Sequence, residues 1–389
     1  MSRRSRCLLL AIVGCAAVGC GERGTRFESD TLTATVAGLT TEQSASIDAV
    51  LTEFFGTPDE PRLPDRVPQL AQLVDLDALH QAAGPVISHE PGVTQGLYRR
   101  HCARCHGVTG NGRGPTARYQ APYPRDFRRG IFKWKSTYRE SPPTVADLRA
   151  VLNRGVPGTA MPSFALLSGK ERDLLRQYVQ YLAIRGQTER ALIDFVADEF
   201  ADSETLILDD DLRQEIARDV IAPIVTAWID ADAKSVWPDI DSTSPVLTTD
   251  ERVAAGRELY HGERAGCYKC HGPEGQGGAT PEVDYDVWTR AQVIDEPNER
   301  IASLLARDLP ARPSLPRELV GSTPHGGTDP LDVFRRLHQG VAGTPMPAVG
   351  GTRPGELGAL TDEEVGYLTD YVLTLMAIPS PPAEGVASR

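Results

Sequence analysis

The feature that most constrains this chain is a pentapeptide of the form Cys-x-x-Cys-His that occurs twice, at Cys102–His106 and at Cys267–His271. Two thiols three positions apart, with a histidine directly after the second, form the pattern that attaches a c-type haem. Each sulfur can bond one vinyl-derived carbon of the porphyrin, and the imidazole then lies under the iron as its proximal ligand. A single copy could arise by chance or bind zinc. The repeat favours two haem groups held in two similar frames.

A methionine-containing loop is repeated in the same order. Residues Gly155–Pro162 align without a gap to Gly340–Pro347, and six of the eight positions are identical, which indicates an internal duplication. The chain has four methionines, and Met161 and Met346 occupy equivalent positions in these loops, where no periodic apolar face accounts for them. A thioether opposite a histidine is a standard pair of haem ligands, so we predict that both methionines are axial ligands. Zinc binding would leave the repeated loops unexplained.

The order of elements around each pentapeptide is also shared. A predicted helix that contains a glycine and a Leu-Tyr pair, Leu97-Tyr98 or Leu259-Tyr260, leads into each CxxCHG sequence. A helix with a capping box and a central tyrosine follows each methionine loop. This order resembles class I cytochrome c, and two copies resemble a di-haem member of that family. The resemblance implies a mainly α fold with two tandem class I cytochrome c helical domains and a helical linker.

The resemblance also implies the cofactors and their ligands. It implies two covalently bound haem c groups with their iron atoms, and no catalytic residue. The residues implied for covalent attachment are Cys102, Cys105, Cys267 and Cys270, and those implied for the iron atoms are His106, Met161, His271 and Met346.

The N-terminus predicts export. Three arginines within the first six residues precede an apolar run of thirteen residues, 7–19, which is too short to span a bilayer as a mature helix. The run ends in Ala17-Val18-Gly19-Cys20, which resembles the lipobox of bacterial lipoproteins, so we predict lipidation at Cys20 and attachment to the periplasmic side of a bacterial membrane. Lipidation at Cys15, or ordinary cleavage near Ala17 or Gly19, remains an alternative.

Landmarks and composition divide the chain into six predicted segments. They are a signal peptide with lipobox over 1–20, an N-terminal extension with one helix over 21–89, a first cytochrome c domain over 90–186, a helical acidic linker over 187–247, a second cytochrome c domain over 248–379 and a tail over 380–389. We expect the helix of the extension at about 41–55 and two helices in the linker. The second domain is longer around 283–313, and we favour a surface loop there over a partner-docking feature.

Charge is distributed unevenly. The formal net charge is −12, but residues 99–139 contain eleven Arg and Lys against one acid, whereas residues 198–241 contain thirteen acids against three cations. Either the two segments neutralise each other within the fold, or one of them steers a charged redox partner to a haem edge. An exported acidic chain is a poor candidate for nucleic-acid binding.

These features predict a di-haem cytochrome that passes single electrons between respiratory partners and is not an enzyme. The expected partners are a dehydrogenase or quinol-oxidising complex and a terminal oxidase or reductase. Two alternatives are a di-haem peroxidase and a dedicated cytochrome subunit of a larger oxidoreductase complex. In the peroxidase, His261, His325 or His338 would allow a ligand switch at the second haem. His80 and His89 are expected to be structural or surface residues.

Overall fold

A computed structural model of the protein describes residues 25–84, 95–200, 205–239, 247–278, 285–286, 289 and 294–378. The predicted lipidation residue Cys20, its rival Cys15 and also His89 lie outside these ranges. Within them the chain is helical, with isolated β-bridges and no strand, which confirms the mainly α class. A helix of the length and apolarity needed to cross a membrane is absent from the described residues.

The α-helices are numbered in chain order. They are α1 (Thr31–Val36), α2 (Thr41–Phe55), α3 (Leu76–Ala83), α4 (Leu97–His101), α5 (Ala103–His106), α6 (Val145–Arg154), α7 (Gly169–Glu199), α8 (Asp210–Glu215), α9 (Ala222–Ile229), α10 (Thr249–His261), α11 (Tyr268–His271), α12 (Glu299–Leu305), α13 (Pro330–Gln339) and α14 (Asp362–Ala377). A π-helical turn, Ile216–Ile221, joins α8 to α9, and short 3₁₀ turns include Phe127–Arg129.

Capping boxes determine where the longer helices begin. In α2, α6, α7, α10 and α14 a serine or threonine before the helix accepts a bond from the third backbone N–H, and the third side chain accepts one in return. These bonds satisfy backbone donors that a helix start would otherwise leave unpaired. The start of α2 coincides with the helix that the sequence predicts at about residue 41.

Buried apolar residues form two clusters, one from residues 34 to 228 and one from residues 236 to 375. In the first cluster α7 packs against α2, α3 and α6, and the linker residues Ile221 and Trp228 join it. In the second cluster α14 packs against α10 and α13. The extension and the linker as far as Trp228 therefore pack with the first pentapeptide, whereas Val236 packs in the second cluster. The domain boundaries themselves stay a prediction.

Helix α7 is continuous across residue 186, so the first of the expected linker helices is the C-terminal part of α7. Gly186 lies where a helix break is easily inferred, because glycine is a poor helix former. A Cβ at Gly186 would lie 2.2 Å from the Cα of Arg128. The glycine thus admits the 3₁₀ turn Phe127–Arg129 directly onto α7.

The described part of the 283–313 segment is bonded to the first half of the chain, which contains the first pentapeptide and its buried cluster; the second half contains the second pentapeptide. Asp308 accepts from Nε and Nη2 of Arg113, and the carbonyl of Pro310 accepts from the Tyr123 hydroxyl at 3.1 Å. The segment also contains α12, which adjoins α1. The sequence favoured a passive surface loop for this segment. The segment instead supplies Asp308 as the acidic partner of Arg113, a partly buried cation of the first half.

Candidate haem centres

The first pentapeptide lies on one tight helical turn. Helix α4 ends at His101, Cys102 precedes α5, and Gly107 ends α5 with a φ of 74°. The buried Tyr98 hydroxyl donates to the carbonyl of Gly107 at 2.9 Å, and its ring packs on Tyr178 at 4.9 Å. The tyrosine of the predicted motif therefore anchors the end of the turn that presents both thiols and the imidazole.

One cavity brings the predicted residues of the first site together. Cys102, Cys105, His106 and Met161 all line it. Apolar side chains supply much of the remaining wall, including Phe127, Phe132, Leu148, Leu152, Val156, Phe164 and Val179. Two thiols, an imidazole and a thioether around an apolar cavity are the donor set and the surroundings that a covalently held haem requires.

His106 is held in the form that can bind iron. Its Nδ1 lies 2.9 Å from the carbonyl oxygen of Arg125, and its ring stacks on Phe127 at 4.4 Å. Burial lowers the pKa of His106 to about 4, against the opposing effect of the bond to Arg125. The imidazole is therefore neutral at physiological pH, with Nδ1 donating to the carbonyl and the Nε2 lone pair available as a ligand.

The two thiols of the first site differ in environment. Cys102 is buried, and burial with the neighbouring Cys105 raises the pKa of its thiol to about 12. Cys105 is half-buried, and its Sγ accepts from Nε2 of Gln120 at 3.0 Å. The two cysteines form no disulfide with each other and line the same cavity, so both are free for thioether attachment.

Hydrogen bonds within the first methionine loop hold it in shape. The amide of Met161 donates to the Thr159 hydroxyl at 3.1 Å, and that hydroxyl donates to the carbonyl of Val156 at 2.8 Å. The amide of Val156 donates back to the carbonyl of Met161 at 3.1 Å. Gly155 begins the loop with a φ of 66°, and a Cβ there would lie 2.7 Å from the Met161 carbonyl oxygen. The repeated spacing of the octapeptide is thus explained by one closed ring of bonds.

The second methionine loop repeats that ring of bonds. The amide of Met346 donates to the Thr344 hydroxyl at 3.2 Å, which donates to the carbonyl of Val341 at 2.8 Å. The amide of Val341 donates to the carbonyl of Met346 at 3.4 Å, and Gly340 has a φ of 64°. Matching octapeptides therefore adopt matching loops.

The second pentapeptide also repeats the bonds of the first. Nδ1 of His271 lies 2.8 Å from the carbonyl oxygen of Arg317, and the Tyr260 hydroxyl donates to the carbonyl of Gly272 at 2.7 Å. Burial lowers the pKa of His271, although the bond to Arg317 acts in the opposite direction. The surroundings are more open, because His271 is half-buried and Cys270 is exposed.

Cations lie along the wall of the first cavity. Pro124, Arg125 and Phe127 line it, and so do Lys133 and Trp134. Asp126 instead binds Arg128, while Lys135 donates to backbone carbonyls. Burial lowers the pKa of Arg125 to about 10, opposed by nearby acids, and these cations could offset the haem propionates.

The acids that pair with the basic segment 99–139 come from several places. Arg99 binds Asp59 of the extension at 2.9 Å, and Lys133 binds Asp286 of the second half at 3.1 Å. The linker residue Asp219 pairs locally, with Arg218. Part of the predicted asymmetry in charge is thus neutralised within the fold, with acids from outside the linker.

The histidines considered for a ligand switch have other partners. His261 bonds the carbonyls of Arg257 and Pro273. His338 bonds Asp362 at 2.9 Å and the side-chain amide of Gln339. His325 lies on the wall of the first cavity, whereas the sequence suggested a role at the second site. Separately, Nε2 of His80 lies 3.2 Å from the carbonyl oxygen of Pro61, as expected for a structural histidine.

Sequence reasoning missed the side chains that cross between the halves. Arg139 and His325 each contact the methionine loop of the other half, at sequence separations of up to 207 residues. A motif read along the chain carries no signal for such a partner.

Comparison with known proteins finds a similarity to one family within the first half of the chain. The family model described as "Cytochrome C oxidase, cbb3-type, subunit III" matches residues 92–179. A solved chain of the Kuenenia stuttgartiensis reducing HAO-like protein complex is 24% identical, with a TM-score of 0.44, over 72% of this chain and 93% of that chain. No curated protein matches the sequence. Residues 92–179, which contain the first pentapeptide and its methionine loop, are thus similar to a cytochrome c family, and this similarity supports covalently bound haem c at the first pentapeptide.

Proposed function

We propose that this protein is a di-haem c-type cytochrome that passes single electrons between respiratory partners. The observation that carries the proposal is the first cavity, where Cys102, Cys105, His106 and Met161 line one apolar space. A haem iron with both axial positions filled by protein changes valence without binding a substrate. The repeated bonds around His271 and in the Met346 loop support a second haem of the same kind.

The residues of the chain would bind, orient and shield the haem, which supplies the one-electron change. The thiols hold the porphyrin, and the Arg125 carbonyl fixes the direction of the His106 ring. The thioether of Met161 favours ferrous iron and raises the potential. The apolar wall excludes water, so the potential is set by fixed groups such as Arg125 and Lys133.

The proposed location is the periplasmic side of a bacterial membrane, with Cys20 lipidated. Several acyl chains at one residue give stable attachment to a membrane surface. The proposed partners are a dehydrogenase or quinol-oxidising complex as donor and a terminal oxidase or reductase as acceptor. Co-purification of a stoichiometric partner from membranes would instead indicate a dedicated subunit of a larger complex.

The test begins with the full-length haem-loaded protein. Pyridine haemochrome analysis should give two haems per chain. Replacing Met161 or Met346 by alanine should remove one thioether–iron absorption band and lower one potential by roughly a few hundred millivolts, within the span of roughly 0.8 V that axial ligands cover. Met376→Leu is the matched control, because Met376 packs beside the second cluster on α14 and should leave both haems unchanged.

Three results would contradict the proposal. One haem per chain would remove the second site. Unchanged spectra and redox titrations in both alanine variants would remove the methionine ligands. Rapid turnover of hydrogen peroxide by the wild-type protein with a reduced donor would favour the peroxidase, since an iron ligated on both sides has no position for peroxide.

A further inference from the structure

The side chain of Arg139, in the first half of the chain, binds the methionine loop of the second half. Its Nη1 donates to the carbonyl of Gln339 at 3.1 Å and to the carbonyl of Met346 itself at 3.0 Å, and its Nη2 donates to the carbonyl of Thr344 at 3.1 Å. Its backbone amide donates to the side chain of Gln339 at 2.8 Å. A Cβ on Gly340 would lie 2.6 Å from Nη1, so glycine also makes room for the guanidinium.

The segment that presents Arg139 is itself fixed. Nζ of Lys135 donates at 2.7 Å to the carbonyls of both Tyr138 and Arg139. The amide of Tyr138 donates to the carbonyl of Lys234 at 3.0 Å, next to a β-bridge between Thr137 and Ser235. These hydrogen bonds hold the backbone of Arg139 in place, so its guanidinium loses little additional conformational freedom when it binds the loop.

A reciprocal contact runs from the second half to the first loop. Nδ1 of His325 lies 2.6 Å from the carbonyl oxygen of Pro157, in the octapeptide that contains Met161. Nη1 of Arg317 lies 2.8 Å from Nε2 and 3.2 Å from Nδ1 of His325, so the guanidinium holds the edge of the ring that faces this carbonyl. The backbone carbonyl of the same Arg317 accepts from Nδ1 of His271. One residue thus joins the proximal histidine of the second site to the methionine loop of the first.

We propose that each half of the chain positions the axial methionine of the other, Arg139 holding the loop of Met346 and His325 holding the loop of Met161. The inference rests on the proposed function, in which both methionines bind iron. The bond from Arg139 to the carbonyl of Met346 fixes the backbone of the ligand residue itself. Both side chains are positioning residues, since neither is an iron ligand.

The contacts imply that ligation at one haem depends on how the other half is docked. Each loop closes on its own ring of bonds, but that ring leaves the orientation of the loop over its haem to outside contacts. Arginine suits this role because its planar fork reaches several carbonyls at once, which the single ammonium of lysine cannot do. Arg139→Lys should therefore be a partial defect, with charge kept and geometry lost.

The experiment uses the full-length haem-loaded protein and the thioether–iron absorption band. In a Met161→Ala background only Met346 contributes to that band, so adding Arg139→Ala should remove most of what remains. In a Met346→Ala background Arg139→Ala should leave the band intact, and His325→Ala should weaken it. Arg149→Ala is the control, because Arg149 is an exposed cation paired with Asp173 and should change neither band.

The outcomes separate this inference from the proposed function. If Met346→Ala leaves the band and both potentials unchanged, the ligand assignment itself fails. If Met346→Ala removes its share of the band but Arg139→Ala in the Met161→Ala background removes none, only the positioning role fails. Haem content and far-ultraviolet circular dichroism show whether a variant is folded. Should Arg139→Ala not mature with two haems, Arg139→Lys decides, with an unchanged band and potential overturning the inference.

Discussion

Asp126→Asn should destabilise the first haem domain strongly, although it changes one atom. Asp126 is 3% exposed, and its carboxylate accepts from Nε and Nη2 of Arg128 at 3.0 Å and 2.9 Å. It also lies 3.5 Å from Nη1 of Arg113. The amide of Arg128 donates to its Oδ1 at 3.0 Å, which starts the Phe127–Arg129 turn. Asparagine keeps the shape and that acceptor, but its amino group replaces Oδ2 and cannot accept from Nη2 of Arg128, so the variant removes the charge and one acceptor.

The expected magnitude follows from the burial of the pair. The Arg128 and Asp126 side chains are 8% and 4% exposed. Removing one partner of a buried ion pair costs about 3–5 kcal/mol, because the remaining charge is left without compensation. Burial alone would lower the pKa of Arg128, but Asp126, then Asp30 and Glu189, together raise it. Two acids remain in the variant, so we expect a loss near the lower end, about 3 kcal/mol of unfolding free energy.

The assay is urea denaturation of the haem-loaded protein, followed by the absorption of the first haem and by circular dichroism. The loss should be detected at the haem, because Asp126 lies between Arg125, which bonds His106, and Phe127, which stacks on it. Asp219→Asn is the control, since that acid pairs with Arg218 at the surface with both side chains at least half exposed. It should leave the unfolding free energy close to that of the wild-type protein. A loss in Asp126→Asn no larger than in this control would refute the reasoning.

Two further predictions concern the haem potentials. Burial and Arg125 lower the pKa of Lys133 to about 8, against the effect of Asp286, so this cation on the wall of the first cavity should lose its charge as the pH rises past that value. The potential of the first haem should then fall, because a nearby positive charge favours ferrous iron. Lys133→Gln should remove this fall of the potential with pH. A potential of the first haem that does not change with pH in the wild-type protein would contradict the prediction. The first haem should also have the higher potential, because His106 is 8% exposed whereas His271 is half-buried, and burial disfavours the additional charge of ferric haem. Redox titration of Met161→Ala and Met346→Ala shows which potential belongs to which haem. A higher potential at the second haem would contradict the prediction.

The parts of the fold that the sequence predicted are those whose physical cause is local. A capping box needs only a hydroxyl and an acid or amide three residues later, so the starts of α2 and α7 are visible in the sequence. The pentapeptide likewise places two thiols and an imidazole on one turn, whatever surrounds it. The ring of bonds around Thr159 closes within six residues, from Val156 to Met161, and its copy around Thr344 closes in the same way.

What the sequence did not predict depends on packing between distant segments. The predicted boundary between the first domain and the linker, at residue 186, lies inside α7. The cost of glycine in a helix is only about 1 kcal/mol, and Gly186 admits the Phe127–Arg129 turn onto the helix. His325 suggests a role near the second pentapeptide because it lies close to it in sequence. Its position at the first cavity follows from the bond to Pro157, which is 168 residues away.

The duplication shows how the two sites came to differ while their motifs stayed alike. The two octapeptides and the two histidine–carbonyl bonds repeat closely, so the difference cannot lie in the motifs. It lies in segments that have no copy: the extension packs with the first cluster, and the described part of the 283–313 segment binds Arg113 and Tyr123 beside the first cavity. These segments pack against the first half of the chain, whereas Cys270 of the second pentapeptide is exposed. The unequal surroundings, rather than the shared ligands, should therefore separate the two potentials and give electron flow a direction.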